Sequence, residues 1–284
     1  MRRRRATALA ILAALLLGIV LIATSPGATH PPAPAHRTAA ARPHPVAAPT
    51  EQQAALTRFA AAGKPIYCAG RGHRLVALTF DDGPSEPYTQ RVLDILASYR
   101  AHATFFDVGR FVQTYPHLVR EEIDQGHELA NHTYDHPRLT QLTPADIATE
   151  LQNGTAALQQ AGAPAPRWFR PPYGLFSGAI STIAAGLGQA TIGWHHPFDQ
   201  YLLHDPAGGV AALLRNIRPG SIVLAHDGQK LLDSRLEQLP NFLAGLRRNC
   251  MTPTTVGDLL RQTGLYDVRT GGGAPGTNPS PGSE

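Results

Sequence analysis

The chain has 284 residues, 43% of them hydrophobic, with only two cysteines and a formal net charge of +4. That charge owes much to four arginines among the first five residues, and no basic patch interleaved with aromatics occurs, so nucleic acid is not an expected partner. The length allows one domain with a full-sized core, and no internal repeat is present.

Arg2 to Arg5 precede an unbroken apolar stretch over 6–23, the order of an export signal. Its length sits at the lower limit for a spanning helix, so residues 1–23 read as a signal peptide or a retained membrane anchor. The arginines stay cytoplasmic in either case, and the remainder is expected outside, secreted or anchored. Residues 24–62, crowded with Pro and Ala, read as a linker, and 268–284 as a disordered Gly/Pro-rich tail. The folded domain is expected over 63–267.

Within it, 75–80 is almost continuously apolar, as in a parallel strand covered on both faces. After a turn at Gly83-Pro84-Ser85, Val92, Leu93, Ile95, Leu96 and Tyr99 repeat at helical spacing. A strand over 103–108, a helix over 115–125 and a short strand over 128–131 follow. Thr143 and Pro144 cap and open a long helix that ends near Gly162. Strands are then expected at 167–170, 189–194 and 221–225, and helices at 180–187, 209–217 and 231–246. A last short strand from Met251 and a helical turn over 255–261 complete the domain. This alternation predicts a parallel α/β architecture. Asp81-Asp82, His132, Arg170, the Trp194 region and His226 all fall at C-terminal ends of different strands, which favours a barrel with one mouth over an open sheet.

The polar residues at that mouth suggest their own chemistry. Two imidazoles and a carboxylate, His132, His136 and Asp82, suit a catalytic zinc with one position left open. Cobalt, nickel or manganese would also fit such donors. The four-residue spacing lets both histidines reach one ion if the chain turns helically from Thr133. Asp81 is then the candidate general base, expected to stay ionised beside the ion and Arg170. Arg170, set between Phe169 and Pro171, needs a partner, and the acid of the first strand is the natural choice. His226 is the candidate general acid, the competing reading being a histidine satisfied by Asp227. Leu224 points the same way along its strand and would wall an acyl pocket. Gly174 permits a tight turn that offers the Tyr173 N–H to an oxyanion. Cys68 and Cys250 flank the domain, and in an oxidising compartment they predict one disulfide, with two free thiols as the alternative. Closing so long a loop would stabilise by about 3–5 kcal/mol.

Together these segments resemble the polysaccharide deacetylase family, also called the NodB-homology or carbohydrate esterase family 4 domain, over about 74–260. Thr79-Phe80-Asp81-Asp82-Gly83 is similar to its first motif, with Asp81 as base and Asp82 as ligand. His132-Thr133-Tyr134-Asp135-His136 resembles the second, which supplies both imidazoles. Arg170-Pro171-Pro172-Tyr173-Gly174 resembles the third, whose arginine orients the base, and Leu224-Ala225-His226-Asp227 the fifth, with acid and pocket leucine. The resemblance implies a single catalytic domain built as a distorted (β/α) barrel, usually of seven strands. It implies N-deacetylation of N-acetylglucosamine polymers such as peptidoglycan or chitin, with one divalent metal ion, Zn2+ foremost. Some similar proteins instead remove O-acetyl groups from xylan. The fourth motif departs: where an Asp-Trp ending is usual, this chain has Trp194-His195-His196-Pro197-Phe198-Asp199-Gln200. Asp199 is the candidate tuning acid for His226, Trp194 a candidate pocket wall, and His195 or His196 a candidate sugar contact. The altered motif leaves three functions to weigh: an N-deacetylase, an O-acetyl esterase, and a silent glycan-binding domain. The expected unit is a monomer whose partner is an acetylated polysaccharide.

Overall fold

The computed structural model describes residues 63–71, 73–228 and 233–263. The signal or anchor, most of the linker and the tail lie outside these residues. Among the described residues no helix is long and apolar enough to cross a membrane.

Strands β1 (Leu75–Asp81), β2 (Thr104–Asp107), β3 (Glu128–Asn131), β4 (Trp168–Phe169), β5 (Ala190–Thr191), β6 (His196–Pro197) and β7 (Ile222–His226) form one curled, wholly parallel path. Its order is β5-β4-β3-β2-β1-β7-β6, and β8 (Thr252–Thr254) pairs with the start of β1 beside it. The two ends of the path, β5 and β6, are consecutive in the chain. Ile66 bridges to Ile192 beyond β5 and Cys68 to Ser221 before β7, so the segment that precedes β1 spans the gap. The seven-stranded path is the distorted, incompletely closed (β/α) barrel expected from the sequence.

Ten helices are described. They are α1 (Tyr88–Tyr99), α2 (Gly109–Thr114), α3 (Pro116–Asp124), α4 (Pro144–Gln160), α5 (Gly178–Gly186), α6 (Phe198–Tyr201), α7 (Pro206–Asn216), α8 (Asp233–Leu236), α9 (Leu239–Arg248) and α10 (Val256–Gln262). The pleat of β1 explains why its sequence is apolar throughout. Val76, Leu78 and Phe80 point outward into a core shared with Val92 and Leu96 of α1 and Phe242 and Leu246 of α9. Ala77 points inward with Phe106, Ala130, Trp168 and Ile222. Each such fully buried aliphatic or Phe side chain contributes roughly 1.5–3 kcal/mol. Continuing the inward row, Thr79 and Asp81 reach the C-terminal end of the strand, where apolar filling gives way to polar groups.

Local signals account for most boundaries. Thr143 caps α4 by accepting the Asp146 N–H at 3.2 Å, with Pro144 in the first turn. The helix expected over 231–246 is instead interrupted between α8 and α9. Pro240 lies in the first turn of α9, the one place where its missing N–H and its ring cost little. The short α2 was not foreseen because a distant loop starts it: the Gly109 and Arg110 N–H groups donate to the Thr133 and Tyr134 carbonyls at 2.9 and 3.0 Å.

The expected disulfide does not form: Cys68 and Cys250 are both free and exposed. Cys68 is fixed by its bridge to Ser221, and Cys250 by the left-handed turn that ends α9. The start and finish of the domain are tied by other means. The Arg74 Nε donates to the Cys250 carbonyl at 2.8 Å, and β8 pairs along β1.

Candidate active site and metal centre

The parallel register of β1 against β7 sets Asp81 opposite His226 and Thr79 opposite Leu224. Two strands thereby place three of the expected site residues, Asp81, His226 and Leu224, together with Thr79 on one inward-facing row. Arg170, following β4, reaches across the interior to the same point. Its guanidinium donates to Asp81 Oδ1 at 2.5 Å, to Thr79 Oγ1 at 2.9 Å, and to the Ile192 and Gly193 carbonyls at 3.1 Å each. The Phe106 ring lies 4.0 Å beneath it. Burial lowers the pKa of this fully enclosed arginine, and the charge and hydrogen bond of Asp81 oppose the shift. Removing one member of such a buried pair costs about 3–5 kcal/mol, because the other charge is stranded. The acid and the arginine are therefore fixed together, as the sequence suggested.

Asp82 turns away from the strand direction in a left-handed conformation, φ 73°. Its side chain packs against the chain that leaves β7, where a Cβ added to Gly228 would come within 2.5 Å of Asp82 Cβ. Only glycine allows that approach. Asp82 Oδ1 lies 3.3 Å from His132 Nε2 and 3.1 Å from His136 Nε2. Burial opposes its ionisation, yet the hydrogen bonds of His132 and His136 and the charge of His132 hold the carboxyl well below the usual carboxylate range.

The two histidines do not share a helix. Thr133 and His136 both adopt positive φ, 69° and 58°, so 132–136 is a compact turn. Asn131 Oδ1 accepts the Thr133 N–H at 2.9 Å, and Thr133 Oγ1 accepts the His136 N–H at 3.0 Å. These side-chain bonds replace the helical ones, which is why the helical spacing argument gave the correct pair through the wrong geometry. Asn131 is itself anchored by Nδ2 bonds to the Leu151 carbonyl and Gln189 Oε1 at 2.8 and 3.1 Å.

The donor set fits a cation on the chemistry of its hydrogen bonds. His132 Nδ1 lies 2.7 Å from the Arg170 carbonyl, an acceptor only, so Nδ1 keeps a proton there and Nε2 is the nitrogen that can exchange its hydrogen bond with Asp82 for a cation. One ligand atom from each of Asp82, His132 and His136 lies within 4.8 Å of the others. Two imidazole nitrogens and one carboxylate oxygen so gathered are suited to one divalent ion with an open position.

His226 faces this cluster from β7, and its Nδ1 lies 2.7 Å from Asp199 Oδ2. Burial works against the charged ring, but the hydrogen bond and charge of Asp199, with Asp82 and Asp81 nearby, raise its pKa to about 9. A cation held by Asp82 would offset part of that field. Asp227 does not serve as the partner of His226. Its carboxyl is buried and accepts from Thr89 Oγ1, and burial together with Asp107 pushes its pKa well up. The departure in the fourth motif therefore leaves the acid beside His226 in place.

The remaining expected residues divide. Tyr173 (φ 60°) and Gly174 (φ 63°) form the turn after Arg170, and the Tyr173 N–H lies in the first turn of a short 3-10 segment, where no intrahelical acceptor exists. Trp194 is half-buried 5.6 Å from the Arg170 guanidinium, with its ring over Gly174. Leu224 is buried between Thr79 and Pro197 in neighbouring strands. His195 and His196 stack on each other with centroids 4.4 Å apart, level with the start of β7 and not with His226 at its end. Burial lowers the pKa of His196 to about 4. Their place level with the start of β7 sets both rings away from the strand end that carries His226. The sequence by itself missed Thr79 and Asn131, whose side chains act through hydrogen bonds to distant segments. It also missed the buried acids Asp107 and Glu122, both pushed up by burial, Asp107 to about 7. The Asp107 carbonyl accepts the His132 N–H at 3.0 Å.

Comparison with known proteins agrees with this arrangement. Residues 69–192 match the family model described as polysaccharide deacetylase. The chain is 39% identical over 161 residues to a chitooligosaccharide deacetylase of Sinorhizobium fredii, covering 56% of this chain and 75% of that one. It is 33% identical over 190 residues to a peptidoglycan-N-acetylglucosamine deacetylase of Bacillus cereus, covering 66% and 89%. Among solved structures, a carbohydrate esterase family 4 pseudoenzyme from Bacillus anthracis is similar, with a TM-score of 0.64 at 29% identity over 70% of this chain and 69% of that one.

Proposed function

Because this chain belongs to the polysaccharide deacetylase family, we propose that it is a metal-dependent hydrolase removing acetyl groups from N-acetylglucosamine-containing glycans of the peptidoglycan or chitin kind. The observation that carries this reading is the convergence at one mouth of three elements. These are the Asp82/His132/His136 donor set, Asp81 held by Arg170, and His226 held by Asp199. Asp82, His132 and His136 would hold one divalent ion, for which zinc is the best match to the donors. Bound there, it supplies Lewis acidity toward the acetyl carbonyl and lowers the pKa of water.

The chain's own groups then divide the proton work. Asp81 Oδ1 is engaged by Arg170, which leaves Oδ2 as the atom that takes a proton from the attacking water. Water oxygen bonds to the acetyl carbon, and the Tyr173 N–H donates to the oxygen that gains negative charge. His226, its Nδ1 occupied by Asp199, gives a proton from Nε2 to the departing amine nitrogen as the carbon–nitrogen bond breaks. Acetate and a free amine result. Leu224 and Trp194 would enclose the methyl group. The intact Asp199–His226 pair favours amide over ester cleavage, since an amine leaves only when protonated. The complete donor set argues against a silent binding domain, even though a pseudoenzyme is among the similar structures. The Arg-rich, apolar N-terminus supports action outside the cytoplasm.

The test is acetate release from N-acetylglucosamine oligomers, peptidoglycan and acetylxylan, with and without a chelator. Release from the amide substrates should vanish with chelation and return with zinc. Asp81→Asn should lower turnover by about 10³-fold while keeping the metal, whereas His136→Ala should lose the metal. If no acetylated glycan yields acetate in a metal-dependent way, the reading is wrong.

A further inference from the structure

Beside the metal donors stands a cation that the proposed chemistry does not use. Tyr173 is 53% exposed at the mouth, and its ring packs edge-on to His136 with centroids 4.6 Å apart. The Arg138 guanidinium lies over the same ring, its Cζ 4.6 Å from the centroid. It is therefore no more than about 9 Å from the His136 ring centre. Arg138 is exposed, and among the described residues no carboxylate forms an ion pair with it. Glu150, which reaches the same histidine-bearing turn, is already engaged, with Oε2 accepting the Tyr134 and Asp135 N–H groups at 3.1 and 2.9 Å.

The position of Arg138 is also built rather than incidental. It precedes a 3-10 turn (Leu139–Gln141) whose Leu139 is 1% exposed, and its carbonyl accepts the Gln141 N–H at 2.9 Å. Tyr173 is held in a left-handed turn between Pro172 and Gly174. Stacking on an aromatic face orients a guanidinium while leaving its planar fork of N–H donors free, the geometry that matches a carboxylate.

We propose that Arg138, seated on Tyr173 beside His136, is a specificity-determining residue that selects glycans bearing a carboxylate next to the acetylated sugar over neutral ones. The inference deepens the deacetylase reading and rests on it for turnover, though not for binding. The carboxylate has two possible sources with one chemistry, a lactyl ether on the sugar itself or the end of a peptide attached to it.

Three matched oligosaccharides separate these cases: a neutral N-acetylglucosamine oligomer, a peptide-free peptidoglycan fragment with its lactyl acid, and a fragment carrying a short peptide. In the native protein kcat/KM should favour at least one acidic substrate, with a KM that rises with salt for that substrate alone. Arg138→Gln should cut the acidic-to-neutral ratio about 10-fold, the scale of one charge-assisted contact, and Arg138→Lys should restore part of it. Which acidic fragment responds identifies the source. Equilibrium binding of the same ligands, measured on an Asp81→Asn background to stall turnover, should show the same preference and the same loss. An unchanged ratio, or equal losses on all three substrates, overturns the role of Arg138 and leaves the deacetylase reading standing. Selective binding of the acidic fragment without acetate release from any substrate does the reverse.

Discussion

At the scale of single residues, the pairing of His226 with Asp199 governs how the site responds to pH. The raised pKa, about 9, keeps the ring protonated through neutrality, which is the state a general acid requires. Activity that depends on that proton falls as pH rises through the pKa, and a bound cation would move this limb below about 9. Asp199→Asn removes the first source of the upward shift, so the alkaline limb of the kcat profile should move down by at least about one pH unit. Amide turnover should suffer more than turnover of an acetyl ester, whose leaving group needs less help. The comparison of pH–rate profiles on both substrates checks this. The sign for stability follows from the same shift. The folded pKa exceeds the ordinary 6.5, so the contribution is complete below that value and is lost as pH rises through about 9.

At the scale of elements, the histidine-bearing turn after β3 depends on side chains that replace backbone bonds. Asn131 accepts the Thr133 N–H and donates to a carbonyl of α4 and to Gln189, all in a buried setting. Asn131→Ala should destabilise the fold by about 2–4 kcal/mol, since buried partners are left unpaired. It should also weaken metal binding by tenfold or more as the turn loosens. Denaturant unfolding and metal titration read the two effects separately. Gly228→Ala attacks the same centre from the other side, pressing on Asp82 Cβ. It should reduce metal affinity with little change in the core, an outcome that metal competition and thermal unfolding together would check. Neither device was legible in the sequence, because an Asn before a His and a Gly after an Asp acquire meaning only through partners far along the chain.

At the scale of the whole molecule, the buried acids behind the mouth set the response of stability to pH. Asp107 has its pKa raised from 3.8 to about 7, chiefly by burial, and its carboxyl pairs with that of Glu122, whose own pKa is pushed up. Between those values the folded state binds more protons than the unfolded chain, so stability falls as pH rises across the window and then levels off. Asp107→Asn should remove this penalty, raising Tm by about 2–4 °C or more at pH 8 and leaving it nearly unchanged near pH 4. Thermal scans at the two pH values decide it. The free cysteines give a second global expectation. Both thiols should react with a thiol reagent in the native protein, and a reductant should leave Tm unchanged, because Arg74 and the β8–β1 pairing rather than a cross-link join the ends of the domain.

The sequence by itself determined the alternation of strands and helices and the strand ends that carry chemistry. Apolar periodicity and chemically unusual neighbours such as Asp81-Asp82 are local, and the chain states them directly. It also picked out the side chains that the mouth gathers, Asp82, His132 and His136 with Asp81, Arg170 and His226, since each lies within a short distinctive run. Tertiary structure alone decided the rest. The register that places Asp81 opposite His226 depends on a strand more than a hundred residues away. The left-handed turn that aims His136, the survival of an acid beside His226, and the separation of two unbonded cysteines depend equally on contacts between distant segments. Spacing along the chain records which residues are near in sequence, whereas a metal centre is fixed by which side chains the packing of strands and helices brings face to face.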